Sequence, residues 1–277
     1  MTGILYTVAT PIGNLDDMTP RAIKTLESVD YILCEDTRVS AKLLSRFDIK
    51  SKLVAYHKFN EKEQLSRVIS DLENGQNIAL ISDAGTPCVS DPGRVLVNEL
   101  YSNDIKVVPI SGACAVSTFL SASPKNSEEY IFTGFIPRTA KEQKEFFEKY
   151  SCADVIFYDS PNRLIKTLEN IKEILGENTI VTVGRELTKL YEEIKNGTVV
   201  ELINYFSQKE PKGEIVVMVH KNTETTTNAD EKEIIEKIKN LKEKGFSTKD
   251  ISVILSSLYD FNKKTVYNLC NELNWLI

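Results

Sequence analysis

Over the first 120 residues, short apolar runs alternate with stretches whose apolar positions recur every three or four residues, the spacing of one helix face. Ile4–Ala9, Tyr31–Cys34, Leu53–Tyr56, Asn77–Ile81 and Ile105–Val108 read as strands. Between them, Leu65, Val68, Ile69 and Leu72 share a helix face that Gly75 brings to an end. Thr19-Pro20 and Asp91-Pro92 each place a cap residue before a proline at a first helical position. Strand and helix in alternation imply a largely parallel sheet covered by helices.

A helix near Ala113–Ala122 is followed by the polar stretch Pro124–Glu129, after which the pattern restarts. Tyr130–Thr133, Asp154–Tyr158, Thr179–Val183 and Glu214–Val219 read as strands of a second α/β unit, with helices around Lys141–Tyr150 and Leu164–Leu175. Ser160-Pro161 reads as the capped, proline-led start of the latter helix. Asn222–Asn228 is polar and without period, a linker. Beyond it Ile234, Ile235, Ile238 and Leu241 share a face, Gly245 ends that helix, Ser247–Asp250 resembles a capping box, and Asn262 is placed to cap a last helix through Val266, Tyr267 and Leu269. The expected organisation is an α/β domain over 1–122, a second over 123–221 able to close over the first, a linker over 222–229 and a small helical domain over 230–277. The turn around Asp260-Phe261-Asn262 gives that last part a helix-turn-helix-like outline, whose roughly balanced charge suits a structural cap or dimer element better than a nucleic-acid reader.

With 42% hydrophobic and 27% charged residues the composition is that of a globular protein, and no apolar run reaches the roughly 18 residues of a membrane helix. The N-terminus lacks a basic leader, so the chain reads as cytoplasmic. Cys34, Cys88, Cys114, Cys152 and Cys270 are scattered and never form C-x-x-C, which points to free thiols rather than disulfides or zinc. With His57 and His220 as the only histidines, no metal is expected. The net charge of −6 argues against unspecific coating of nucleic acid, yet Arg21, Lys24, Arg38, Lys42, Arg46, Lys50, Lys52 and Lys58 crowd the first quarter of the chain. They read either as a local basic patch or as a solvated face.

Three turns follow strands of the first unit: Thr10–Asn14, Ser82–Pro87 and Pro109–Ala115. Ligands of open α/β sheets lie beyond the carboxyl ends of the strands, where glycine lets backbone and ligand approach closely. None of the turns matches a polyphosphate-binding glycine motif. A donor without a polyphosphate, such as S-adenosylmethionine, fits better, with Asp83 as a carboxylate for its sulfonium. Glu35, Asp36 and Arg38 end another strand, and Tyr56–Glu61, with His57 and Asn60, ends the next; such a mixture suits a nucleoside or RNA as well as it suits a surface loop. Arg185 and Lys189, after a strand of the second unit, are placed to reach the interdomain cleft.

Leu5–Leu15 with its Thr-Pro-Ile-Gly-Asn core, Glu35-Asp36-Thr37-Arg38, Ser82–Pro87 with Ser90–Gly93, Phe157–Pro161 and Arg185–Lys189 together closely resemble the tetrapyrrole methylase-like class III methyltransferases, in the branch acting on small-subunit ribosomal RNA. The resemblance runs to Lys212-Gly213-Glu214 and extends to the small helical domain. It implies two α/β domains with S-adenosylmethionine folded into the cleft between them, usually a homodimer, and methyl transfer to the ribose 2'-hydroxyl of a decoding-centre cytidine in 16S rRNA. By position it assigns Ile12, Gly13, Asp83, Ala84, Gly85, Thr86, Cys114, Ala115 and Tyr158 to the cofactor. The chain departs from the family at Ser111 and Ala113, at Asn162 and at Lys58-Phe59. On the reading of the residues themselves, Glu35 or Asp36 accepts the proton or anchors the substrate, Arg38 contacts a phosphate, and His57, Asn60, Arg185 and Lys189 contact RNA. A relative acting on a tetrapyrrole or other small acceptor, and a non-catalytic RNA-binding protein, are the alternatives.

Overall fold

The computed structural model describes residues 2–125, 127–209, 211–221, 234–258 and 263–272. The chain divides into two compact units, Met1–Lys221 and Asn222–Ile277.

In the larger unit, the N-terminal lobe is built on β1 (Leu5–Val8), β2 (Tyr31–Cys34), β3 (Lys52–Ala55), β4 (Ile78–Leu80) and β5 (Val107–Ile110). All pair in parallel, in the order β3-β2-β4-β1-β5. The central strands β2 and β4 are buried at every residue, because helices cover both faces of the sheet. On one face Ile32, Cys34, Ala79 and Ile81 meet Ala22, Leu26 and Leu44 of α1 (Pro20–Ser28) and α2 (Thr37–Arg46). On the other, Leu33, Ile78 and Leu80 meet Val68, Leu72, Leu96 and Leu100 of α3 (Glu61–Glu73) and α4 (Arg94–Ser102).

Local signals set most of these boundaries. The Thr19 hydroxyl accepts from Ala22 N at 3.1 Å ahead of Pro20, and Gly75 takes a φ of 89° just past α3. Two expectations need correction. The last strand runs two residues later than Ile105–Val108 and includes Pro109, which an edge strand tolerates because one side of its backbone is unpaired. Asp91-Pro92 does not open a helix: α4 starts at Arg94 after Gly93, whose φ of 122° and close approach to Leu80 and Cys88 leave no room for a Cβ.

After α5 (Ala115–Ala122) the C-terminal lobe contains β6 (Tyr130–Phe135), β7 (Asp154–Asp159), β8 (Ile180–Arg185), β9 (Glu193–Thr198) and β10 (Ile215–Val219), in the order β6-β7-β10-β8-β9. Only the β6–β7 pair is parallel. One face carries α6 (Ala140–Lys149), α7 (Leu164–Leu175) and α8 (Val199–Gln208) over a core around Phe147, Phe157, Leu168, Val183, Phe206 and Val217. The other face joins the lobes: Val116, Phe119 and Leu120 of α5 pack with Ile12, Ile156, Leu187, Val216 and Met218.

The sequence reading missed β9 and α8. Glu193–Thr198 has no apolar alternation and becomes a strand through six paired residues of β8, while α8 is opened by a capping box between Thr198 and Glu201. Ser160 does not cap α7 with its side chain; the helix begins at Leu164, and the Ser160 carbonyl accepts from the Arg163 and Leu164 N–H groups.

In the smaller unit residues 234–243 form α9, followed by α10 (Thr248–Leu258) and α11 (Lys263–Glu272). Ile234, Ile238, Ile251, Leu255, Val266 and Cys270 make its core, and the Ser247 hydroxyl accepts from Asp250 N at 3.2 Å at the start of α10. The Asn222–Asn228 stretch and the Asp260–Asn262 turn with the Asn262 cap lie outside the described residues.

Candidate active site

β1, β4 and β5 are neighbours in the first sheet, so the three turns that follow them share one rim. Thr10 and Gly85 form an isolated antiparallel bridge, with Thr10 N to Gly85 O at 2.9 Å and Gly85 N to Thr10 O at 3.0 Å. The Thr10 hydroxyl reaches Ser82 O at 3.2 Å, and that of Thr86 donates to Ala113 O at 3.0 Å, which ties in the third turn. Gly85 has a φ of 83°, and a Cβ there would stand 3.2 Å from Ile12 Cγ2. A small, left-handed residue is therefore built into this wall.

The opposite wall comes from the C-terminal lobe. A cavity of about 390 Å³ lies between Ile12, Asp83–Thr86, Val89–Asp91, Cys114 and Ala115 on one side and Phe135, Tyr158, Asp159, Pro161, Leu187 and Gly213–Val216 on the other. Tyr158 stands edge-on to Phe132 and Phe135, with ring centroids 5.0 and 5.5 Å away. Burial and the nearby Cys114, Asp91 and Glu214 raise the Tyr158 hydroxyl pKa, so it remains a neutral donor. Asp159 supports its wall from beneath: its fully buried carboxylate takes Thr167 Oγ1 at 2.6 Å, Ser160 N at 2.8 Å and Arg163 Nη2 at 2.6 Å.

The lower rim is acidic. Burial first, then the charges of Glu35 and Asp83, push the Asp91 carboxyl up to about 6 against a lowering hydrogen bond from Ser82. Glu35 is raised by burial and by Asp83, with His57 acting the other way. Asp36 moves in the opposite direction: it caps α2, accepting from Arg38 N at 2.9 Å and from the Arg38 guanidinium at 2.7 and 3.1 Å, which holds it far below the carboxylate range. Its own N–H donates to Asp83 Oδ1 at 3.2 Å, so the start of α2 is fastened to the cavity wall.

Of the residues read as cofactor-binding, Ile12, Asp83, Ala84, Gly85, Thr86, Cys114, Ala115 and Tyr158 all line the cavity. Gly13 does not; it packs on the Leu187–Lys189 turn, where a Cβ would meet Lys189 Cγ at 2.4 Å. Glu35 and Asp36 sit at the acidic rim, and Arg38 is exposed beside it. Asn60 is occupied in its own turn, accepting from His57 N at 2.8 Å and donating to Ala55 O at 3.0 Å, while the neighbouring Phe59 is 92% exposed. Arg185 is paired with Glu193, and Lys189 bridges Glu186 and Glu214 at 2.8 and 3.1 Å. Both cations hold their lobe together at the cleft edge rather than stand free.

Asp91, Phe135, Asp159, Ile215 and Val216 are cavity residues that the sequence reading did not assign. Asp91 had been read as a cap. Phe135 lay beyond the expected end of its strand, past the register shift between Phe132 and Phe135 where Gly134 takes a φ of 77°. Among the described residues no group of three His, Cys, Asp or Glu side chains is placed to hold a metal ion, and no helix is long and apolar enough to cross a membrane.

Two α/β lobes that enclose a cavity at the carboxyl rim of a parallel sheet define a methyltransferase of the tetrapyrrole methylase type. Residues 4–203 match the model of the tetrapyrrole (corrin/porphyrin) methylases, and the chain belongs to that family. Among curated proteins it is 40% identical over 271 residues to the ribosomal RNA small subunit methyltransferase I of Haemophilus influenzae, covering 96% of each chain. It is 48% identical over 224 residues to the protein of that name from Halalkalibacterium halodurans, covering 80% of this chain and 77% of that one. Solved structures share the fold at lower identity. A diphthine synthase superposes with a TM-score of 0.62 at 11% identity, over 79% of this chain and 90% of that one. A uroporphyrin-III-C-methyltransferase from Thermus thermophilus gives 0.54 at 17% identity, over 82% and 96%.

Proposed function

We propose that this protein uses S-adenosylmethionine to methylate the ribose 2'-hydroxyl of a decoding-centre cytidine in 16S ribosomal RNA, acting as a cytoplasmic homodimer. The observation that carries the reading is the interlobe cavity at the joined Thr10, Gly85 and Ala113 turns, in a chain 38–48% identical to proteins named for small-subunit rRNA methylation. The two lobes, 1–122 and 123–221, supply the walls, and the helices from 234 onward belong to the other compact unit.

The residues present fit the donor. About 390 Å³ is within the range of small-ligand pockets, and Gly85, Ala84 and Ala115 leave the backbone accessible where side chains would obstruct a nucleoside. When bound, the donor supplies a methyl group on a positively charged sulfur. Asp83 and Asp91 give the cavity the negative field that a sulfonium requires, and Ile12, Leu187 and Ile215 give an apolar slot. The two interlobe walls hold the reactants in line, the main source of acceleration for a displacement of this kind. The donor would supply the methyl group to the acceptor oxygen, whose proton passes to a protein carboxylate or to water. Glu35, beside Asp83 at the acidic rim, is our candidate to take it, its proton affinity raised by burial and by Asp83 as that of the cavity residue Asp91 is; Asp36, held ionised by Arg38, positions the rim instead. His57 and Phe59 border the RNA side.

Labelled S-adenosylmethionine and small ribosomal subunits from cells lacking this protein provide the test. Label on one ribose of 16S rRNA is expected; label only in a porphyrinoid, or RNA binding without transfer, would replace the proposal with another activity.

A further inference from the structure

α2 carries cations and no carboxylate along its length, in a chain that otherwise has 40 acidic residues against 34 basic ones. Arg38, Lys42 and Arg46 recur at every fourth position, so they share one helix face, and all three are exposed. Each step advances about 6 Å along the axis, a spacing comparable with that of successive phosphates on a nucleic-acid strand. The row continues through exposed Lys50 into Lys52 at the start of the edge strand β3. From Thr37 to Lys58 there are six cations and one carboxylate, Asp48.

Arg38 is paired with Asp36, but Lys42, Arg46, Lys50 and Lys52 make no ion pair among the described residues. Like charges four residues apart weaken a helix by a few tenths of a kcal/mol per pair. The helix is held by burial of Ser40 and Leu44 on the opposite face, so the cationic row is not needed for folding. Its position is informative: α2 begins at the acidic rim, where Asp36 N is bonded to the cavity residue Asp83, and leads away from it.

We infer that the Arg38–Lys42–Arg46 face of α2, continued by Lys50 and Lys52, is a track for the phosphates of the RNA strand whose acceptor nucleotide enters the interlobe cavity. The inference rests on the proposed RNA methylation. It answers how an acidic protein holds a polyanion: the cations gather on one face of the N-terminal lobe, leaving the cavity free to be acidic for the donor. Contacts of this kind give affinity and register without reading bases.

The test compares full-length wild type, Lys42→Glu/Arg46→Glu and the control Lys141→Glu/Lys144→Glu, which makes the same charge change on exposed positions of α6. Thermal melting and S-adenosylmethionine binding verify that each variant is folded and has an intact cavity. Binding to the small ribosomal subunit is then measured across salt concentrations. The α2 variant is expected to bind at least ~10-fold more weakly at low salt, with the log–log salt slope reduced by about 1.4 for two lost single-strand phosphate contacts. The control is expected to keep the wild-type slope. Equal weakening of both variants, or wild-type binding by the α2 variant, would overturn the track. Wild type that neither binds nor methylates the subunit would instead overturn the proposed function.

Discussion

Thr10 and Gly85 exchange two backbone hydrogen bonds, 2.9 and 3.0 Å long, and so join the turn after β1 to the turn after β4 at the floor of the cavity. The bridge requires Gly85 to hold a φ of 83°, where an L side chain is strained. Gly85→Ala is therefore expected to lose about 1–2 kcal/mol of stability, read as a fall in Tm, and to weaken S-adenosylmethionine binding at least ~10-fold in calorimetry. Wild-type values for both would show that the turn carries neither the strain nor the donor.

Asp91 gives the cavity a pH dependence. Its folded pKa of about 6 lies above the unfolded value near 4, so the folded state binds the proton more tightly and stability falls as pH rises between these values. Below pH 4 both states are protonated and there is no penalty; above pH 6 the penalty is complete. Asp91→Asn is expected to raise stability at pH 7 by about 1–2 kcal/mol, after allowance for partial solvent screening, and to leave it unchanged near pH 4. The same variant is expected to bind the sulfonium donor less tightly than its neutral thioether product. Denaturant melts across pH, with calorimetry on both ligands, check the two effects.

Asp159 stabilises the opposite wall. Its carboxylate is fully buried and satisfied by Arg163, Thr167 and a backbone N–H. Asp159→Ala leaves the guanidinium and the hydroxyl without their acceptor, and a loss of about 3 kcal/mol is expected. The replacement Asp159→Asn is expected to recover part of it by keeping the Thr167 contact. Chemical denaturation of the two variants measures the difference.

Glu35 and Asp36 are adjacent carboxylates whose proton affinities are shifted in opposite directions. Glu35→Gln is expected to lower kcat by about 100-fold while S-adenosylmethionine affinity stays the same, as removal of a proton acceptor does. Asp36→Asn loosens the α2 cap and is expected to lower Tm by a few degrees with a smaller effect on kcat. Single-turnover methylation and thermal melts separate the two.

Much of the N-terminal lobe was legible because its central strands are buried on both faces, so Tyr31–Cys34 and Ile78–Ile81 stand out as unbroken apolar runs. The glycine and threonine turns at the rim carry their own backbone chemistry, and eight of the nine residues read as cofactor contacts face one cavity. β9 was not legible, since Glu193–Thr198 owes its extended form to pairing with β8 and not to its own composition. Asp91 was hidden for a different reason. Asp-Pro is an ordinary helix-opening pair, yet here α4 starts only after Gly93 and Asp91 lines the cavity. The pairing of Arg185 with Glu193 and of Lys189 with Glu186 and Glu214 likewise depends on chain segments brought together by the second sheet.

On the proposed function, the two lobes clasp a sulfonium donor between the Gly85 turn and Tyr158. A crystal structure of the protein with S-adenosylmethionine tests this most directly. The nucleoside is expected against Ile12, Gly85 and Ala115, with the sulfonium on the Asp83 and Asp91 side; a donor bound outside the interlobe cavity would contradict the account.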